Sequence, residues 1–238
     1  MVILRVPLCT LPVGIYCYIN IPTPITHPTY FRKLRIISGT AKGHKLCTPP
    51  QQDSSIRPTA DRARESLFSI LGERVKDSQV LDLFAGTGAL GLEAISRGAQ
   101  QLALIDKGHH SLDILKKNAS IFPLEYLKNK KIVIIKDDLK RPSFIKKLPV
   151  SFTPQFDIIF ADPPYDQDLS LPVLEYINAK QLLTDDGIFV IEERHNIILP
   201  EKLTHLECID RRKYGQTRFT FYHSIKVITQ NGIHDTTF

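Results

Sequence analysis

Two short stretches hold residues suited to binding and activating a small planar molecule. The first is Val80-Leu-Asp-Leu-Phe-Ala-Gly-Thr-Gly-Ala-Leu-Gly91, an apolar run that ends in closely spaced glycines. Gly86 and Gly88 let the backbone approach a ligand closely, and a helix opening there turns its amides toward a polar or anionic group. Asp106 follows Gly86 by 20 residues and ends the next apolar run, where a carboxylate can hold both hydroxyls of a ribose. The second stretch is Asp162-Pro-Pro-Tyr165. Its prolines remove backbone donors and stiffen the loop. Asp162 offers a carboxylate, Pro163 a carbonyl and Tyr165 an aromatic face. Such a set seats an amino group carried on a planar base, with the ring stacked and the N–H groups accepted. The lone pair of that amine is delocalised into its ring, so it attacks a methyl group only on rehybridising. Acceptors aimed at its hydrogens favour that change.

These residues need a scaffold that brings the two stretches together. From residue 79 the chain alternates between apolar runs and helical patterns. Strands are predicted at Val80–Phe84, Leu102–Ile105, Ile132–Ile135, Phe156–Ala161 and Ile188–Ile191, with helices at about 89–97, 109–119, 140–147 and 168–183. Nearly continuous apolar strands separated by helices imply a parallel sheet covered on both faces. Ligands of such sheets bind beyond the carboxyl ends of the strands, so the glycine turn and the Asp162 loop share a crevice. Glu207–Arg212 and Arg218–His223 read as two strands joined at Tyr214-Gly215, an antiparallel pair that closes the sheet. Upstream, Thr59 is a plausible helix cap and Gly72 a stop, with Ala60, Ala63, Leu67, Ile70 and Leu71 on one face.

Spacing alone leaves the cofactor open. Gly86, Gly88 and Gly91 satisfy G-x-G-x-x-G, so a dinucleotide fits as well. Asp82 separates the readings. An acid inside the first strand is a poor neighbour for a pyrophosphate and a good one for the cationic S-adenosylmethionine, with its sulfonium and ammonium groups. The plain alternatives are a strand–turn–helix without ligand and, for Asp162–Pro164, a simple turn. The pairing of both motifs at the ends of their strands weighs against each.

Charge is concentrated near the N-terminus. The chain carries a net +6, and eight Lys or Arg between Arg32 and Arg64, against Asp53 and Asp61, account for that same surplus. A solvated face is the ordinary reading; a phosphate-contacting arm explains the concentration better. The four cysteines are scattered and the histidines show no ligand spacing, so neither a metal site nor disulfides are expected. The apolar start is interrupted by prolines and too short to span a membrane. Reduced thiols are the default for such scattered cysteines, and the expected location is the cytoplasm. Residues 1–31 read as a poorly structured extension, 32–56 as a basic arm, 57–224 as the catalytic domain and 225–238 as a tail.

The chain resembles the bacterial 16S ribosomal RNA guanine-N2 methyltransferases that act on the small subunit. The resemblance runs from about Leu34 to Ser224. It rests on Arg35-Ile-Ile-Ser-Gly39, Arg57-Pro-Thr59, Leu81–Gly91, Asp162–Tyr165 and Tyr214-Gly215. It implies the α/β, Rossmann-like seven-stranded sheet of class I S-adenosylmethionine-dependent methyltransferases, carrying an N-terminal basic extension. It implies a cofactor site at Asp82, Phe84, Gly86, Gly88, Asp106 and Asp138, with the neighbouring Asp137 as the alternative at the last position. Asp162, Pro163 and Tyr165 would then serve the base. Arg35, Lys42, Arg57 and Arg64 are the expected RNA contacts, with 16S rRNA or the assembling small subunit as partner and a monomer as the working form. An adenine-N6 DNA or protein-glutamine methyltransferase uses a similar loop. A dinucleotide oxidoreductase is disfavoured by Asp82, and a non-catalytic RNA-binding module by the complete crevice.

Overall fold

The structure, a computed structural model, describes residues 34–49, 58–123, 126, 130–165 and 167–226. Seven strands form one sheet: β1 Gln79–Leu83, β2 Gln101–Asp106, β3 Lys131–Lys136, β4 Phe156–Ala161, β5 Leu183–Arg194, β6 Leu206–Tyr214 and β7 Thr217–Ser224. Their order is β3-β2-β1-β4-β5-β7-β6. The first five are parallel, and β7 runs antiparallel between β5 and β6. The strand order reverses at β1, between β2 on one side and β4 on the other, and that switch opens the crevice such sheets use for ligands.

Period-two alternation sorts the strand side chains onto two cores. Val80, Leu102, Leu104, Ile158, Phe160 and Val190 face one side, packed with Leu67 and Phe68 of α1 (Pro58–Leu71), Leu92 of α2 (Ala89–Ser96) and Leu115 of α3 (His109–Ala119). Leu81, Leu83, Ile105, Ile159 and Phe189 face the other, against Val173, Leu174 and Ile177 of α4 (Ser170–Lys180). Each such fully buried side chain contributes about 1.5–3 kcal/mol. The same alternation decides which side receives the acids. Asp82, Asp106, Asp162 and Glu192 share parity with the first set, so they belong to the face covered by α1, α2 and α3.

α1 opens at Pro58, one residue before the expected cap, as proline's fixed φ allows in a first helical turn. It stops at Gly72, whose φ of 53° is left-handed. The helix expected over 140–147 does not form. A short 3-10 turn at Phe144–Lys147 stands there. Pro142 disfavours helical geometry at Arg141, and the Asp137 carboxylate takes the Ser143 amide at 2.6 Å. β5 begins five residues before the expected Ile188 and runs three beyond Ile191.

The described part of the basic arm is a small antiparallel hairpin laid on the core. Arg35 bridges Lys45, the Ile36 amide donates to the His44 carbonyl at 3.0 Å, and Leu34, Ile36, Ala41 and Leu46 are buried. Glu93 of α2, fully buried, accepts the amides of Ile37 and Ser38 at 2.7 and 2.9 Å and pairs with Arg97 at 2.7 Å. Gly39, at φ 79°, lies so close to α2 that a Cβ there would sit 1.9 Å from the Ser96 carbonyl oxygen. Asn118 of α3 accepts the Cys47 amide at 2.7 Å and donates to the carbonyls of Cys47 and Thr87.

Candidate active site

A cleft of about 740 Å³ opens beyond the carboxyl ends of β1, β2, β4 and β5. One half is built on the glycine turn. β1 ends at Leu83, and Phe84 turns the chain with a φ of 58°, a left-handed conformation unusual for a bulky residue and typical of strained sites. Gly86 and Gly88 continue at φ 53° and 76°, and α2 starts at Ala89. Phe84 and Asp106 line the cleft. Asp106 ends β2, and its two carboxylate oxygens accept the Gly86 and Gly108 amides at 2.9 and 2.8 Å. That pair of bonds fixes the carboxylate at the rim.

Two expected cofactor residues stand elsewhere than the sequence suggests. Asp82 is outside the cleft wall, 2% exposed beneath the glycine turn, where it accepts the Gly91 amide at 2.9 Å. Burial pushes its carboxyl up to about 7; the Gly91 bond opposes the shift and the Asp106 charge adds to it. Its direct work is to hold the first turn of α2. Asp138 is exposed and accepts the Lys140 amide in a turn, whereas Asp137 lines the cleft. Asp137 is buried and bound by Ser143 and Lys147, bonds that outweigh its desolvation and lower its pKa. The register at the end of β3 therefore favours Asp137.

The other half of the cleft is built on β4, β5 and β7. Ala161 of β4 pairs with Ile191 of β5, which puts Asp162 level with Glu192 on the same face. Pro163, Pro164 and Tyr165 complete that wall. The Tyr165 hydroxyl donates to Glu192 Oε1 at 3.3 Å and lies 3.2 Å from Thr217 Oγ1. The Arg194 guanidinium sits over its ring, 5.1 Å from the centroid, and the residue stays partly open to solvent. Asp162 opens on the cleft, yet protein surrounds it on its other sides. That desolvation, then the charges of Glu192, Asp82 and Glu193, hold its carboxyl well above the usual range. Burial raises Glu192 too, against the Tyr165 and Thr217 bonds, with Glu193 adding to the rise. Tyr165 itself is pushed up to about 12 by burial, so it stays a neutral donor.

The family model described as Conserved hypothetical protein 95 matches residues 34–223. The chain belongs to that family. "Putative rRNA methyltransferase YlbH" of Bacillus subtilis is 32% identical over 189 residues, covering 79% of this chain and 98% of the relative. "Ribosomal RNA small subunit methyltransferase D" of Escherichia coli K12 is 32% identical over 190 residues, 80% of this chain and 89% of the relative. Among solved structures, a putative methyltransferase yhhF from Escherichia coli superposes with a TM-score of 0.64 at 28% identity, covering 81% of this chain and 98% of that one. The Thermus thermophilus 16S rRNA N2 G1207 methyltransferase, solved with AdoMet and guanosine, shares the fold at 23% identity and TM-score 0.53, over 73% of this chain and 44% of that one.

The family's matched span begins within the hairpin, so the expected RNA contacts belong to it. Arg35 and Lys42 are exposed on the hairpin's outer side. Arg57 lies outside the described residues. Arg64 departs from expectation: it is 6% exposed, and its guanidinium donates to the Arg35 carbonyl at 2.7 Å and to Asp61 at 3.1 Å. It holds the hairpin to α1 and borders the cleft from below, which is no posture for an open phosphate contact. Glu192 and Thr217 were not anticipated. A Glu-Glu-Arg run at a strand end reads as solvated, and the register with β4 is what turns Glu192 inward. Among the described residues no cluster of His, Cys, Asp and Glu could hold a metal, and no helix is long and apolar enough to cross a membrane.

Proposed function

We propose that the protein transfers a methyl group from S-adenosylmethionine to the exocyclic N2 of a guanine in the RNA of the small ribosomal subunit. The observation that carries this reading is the juxtaposition, in one cleft, of the glycine turn with Asp106 and the rigid loop Asp162–Tyr165. The names carried by relatives in the family point the same way. The residues suit the cofactor: Asp106 offers a fixed carboxylate to ribose hydroxyls, Phe84 an apolar wall, and the cleft has room for a nucleoside-sized ligand and a base. Bound S-adenosylmethionine supplies an electrophilic methyl on a sulfonium.

This chain's own part is alignment. Asp162 and the Pro163 carbonyl accept the amine's hydrogens and draw its lone pair out of the ring plane. With the cofactor bound, the nitrogen would take the methyl as its bond to sulfur is given up, and the positive charge would pass to the amine. The N–H proton then leaves easily for Asp162 or water, so a strong general base is unnecessary. The exposed Arg35 and Lys42 meet phosphates, since a single flipped base supplies little affinity. Incubating the protein with methyl-labelled cofactor and unmodified 16S rRNA or small subunits should give N2-methylguanosine on nucleoside analysis. Label in N6-methyladenosine, or in protein, would replace the reading by one of its neighbours.

A further inference from the structure

We infer that Glu192 reads the Watson–Crick edge of the target base, accepting the N1–H of guanine beside the amine that Asp162 holds. The inference rests on the proposed guanine chemistry and adds the residue that selects guanine. It begins from placement. Asp162 and Glu192 occupy equivalent levels on adjoining parallel strands and share one face, so two carboxylates stand side by side at the floor of the base half. Glu192 is also oriented in advance, because the Tyr165 hydroxyl, from the loop after β4, and Thr217, at the start of β7, both bond it.

Two adjacent acceptors match one base edge in particular. Guanine presents N1–H next to its 2-amino group, an unbroken row of donors. Adenine and cytosine present an amino group next to a ring nitrogen lone pair, which a carboxylate repels. In the free protein desolvation, the larger cause, raises both carboxyls, and the charge of Glu192 adds to the cost of ionising Asp162. Donors from guanine relieve it; a lone pair does not. A site built to accept a particular N–H rejects the analogue without it far more strongly than an apolar wall can.

The test compares guanosine with 2-aminopurine, which keeps the 2-amino group but has a lone pair at N1. Small-subunit RNA would carry one or the other at the nucleotide that the wild-type protein modifies, and initial rates of methyl transfer would be measured. The wild type should favour guanosine by at least about a hundredfold. Glu192→Gln, whose amide can also donate, should lose most of its rate on guanosine and narrow the ratio to within about tenfold. A wild type that uses both bases equally, or a Gln variant with the ratio unchanged, overturns the inference. An unchanged ratio with both rates lowered would mean that Glu192 merely braces Tyr165. If Glu192→Gln does not melt cooperatively, Glu192→Ser is read by the same ratio. Failure of the wild type to make any N2-methylguanosine would instead strike the proposed function itself.

Discussion

The two halves of the cleft treat their acids in opposite ways. On the glycine-turn side the carboxylates that line the cleft are satisfied by the protein itself: Asp106 by two amides, Asp137 by Ser143 and Lys147. On the Asp162 side the acids face one another, and among the described residues no hydrogen bond reaches the Asp162 carboxylate. The first half is preorganised for its ligand, as low-cost binding requires. In the second, desolvation and neighbouring charge hold the Asp162 carboxyl high, and on the proposed chemistry the target amine would supply the donors it lacks.

The sharpest way to break that contrast is Asp162→Ala. Methyl transfer should fall by on the order of a hundred- to ten-thousandfold, while calorimetry shows cofactor affinity nearly intact. A parallel loss of cofactor binding would merge the two halves. Asp106→Ala should do the reverse, weakening S-adenosylmethionine by about 1–3 kcal/mol because ribose hydroxyls lose a charged acceptor. Unchanged affinity in a folded variant would remove Asp106 from the site.

Asp82 probes the preorganised half through stability. Its folded carboxyl sits at about 7 against an ordinary value of 3.8, so the folded state keeps its proton longer than the unfolded chain does. Stability is therefore lost as pH rises between those values and is lowest above them. Asp82→Asn keeps an acceptor for Gly91 and removes the charge. It should stabilise the free protein at pH 8 by up to a few kcal/mol, roughly, and little at pH 4. The shifts of Asp162 and Glu192 share its sign, so the slope should lessen without vanishing. Urea denaturation of both proteins at the two pH values decides it.

The smallest effect belongs to Tyr165→Phe. The ring remains to stack and the bonds to Glu192 and Thr217 go, so transfer should drop only a few-fold, whereas Tyr165→Ala should lose about tenfold or more. Equal damage from both would assign the work to the hydroxyl.

Much of the architecture was legible because burial imposes a period. β1 to β4, α2, α3 and the closing pair β6–β7 stand where the apolar runs put them. The failures have local or distant causes that periodicity cannot carry. Residues 140–147 carry an amphipathic pattern, but Pro142 and the Asp137–Ser143 bond overrule it. Asp137 and Asp138 are equivalent in sequence, and Ser143 and Lys147 decide which one is drawn in. Arg64 reads as one more surface cation until the hairpin is seen to cover it. Glu192 needs the register between β4 and β5, a relation between residues thirty apart, before it reads as anything but a solvated strand end.

The seat of the hairpin has a consequence for how such a protein can change. Glu93 is a fully buried charge that the hairpin amides and Arg97 satisfy, and Asn118 binds both the hairpin's exit and the glycine turn at Thr87. Remove residues 34–47 and a carboxylate loses two amide donors in the interior, while a groove shaped for Gly39 is uncovered against Ser96. The basic segment is thus no cassette to be clipped off or pasted onto another catalytic core. A graft would have to take Glu93, Ser96 and Asn118 along, and with them the two helices that frame the cofactor. Whatever this segment recognises is therefore inherited together with the framework of the cleft.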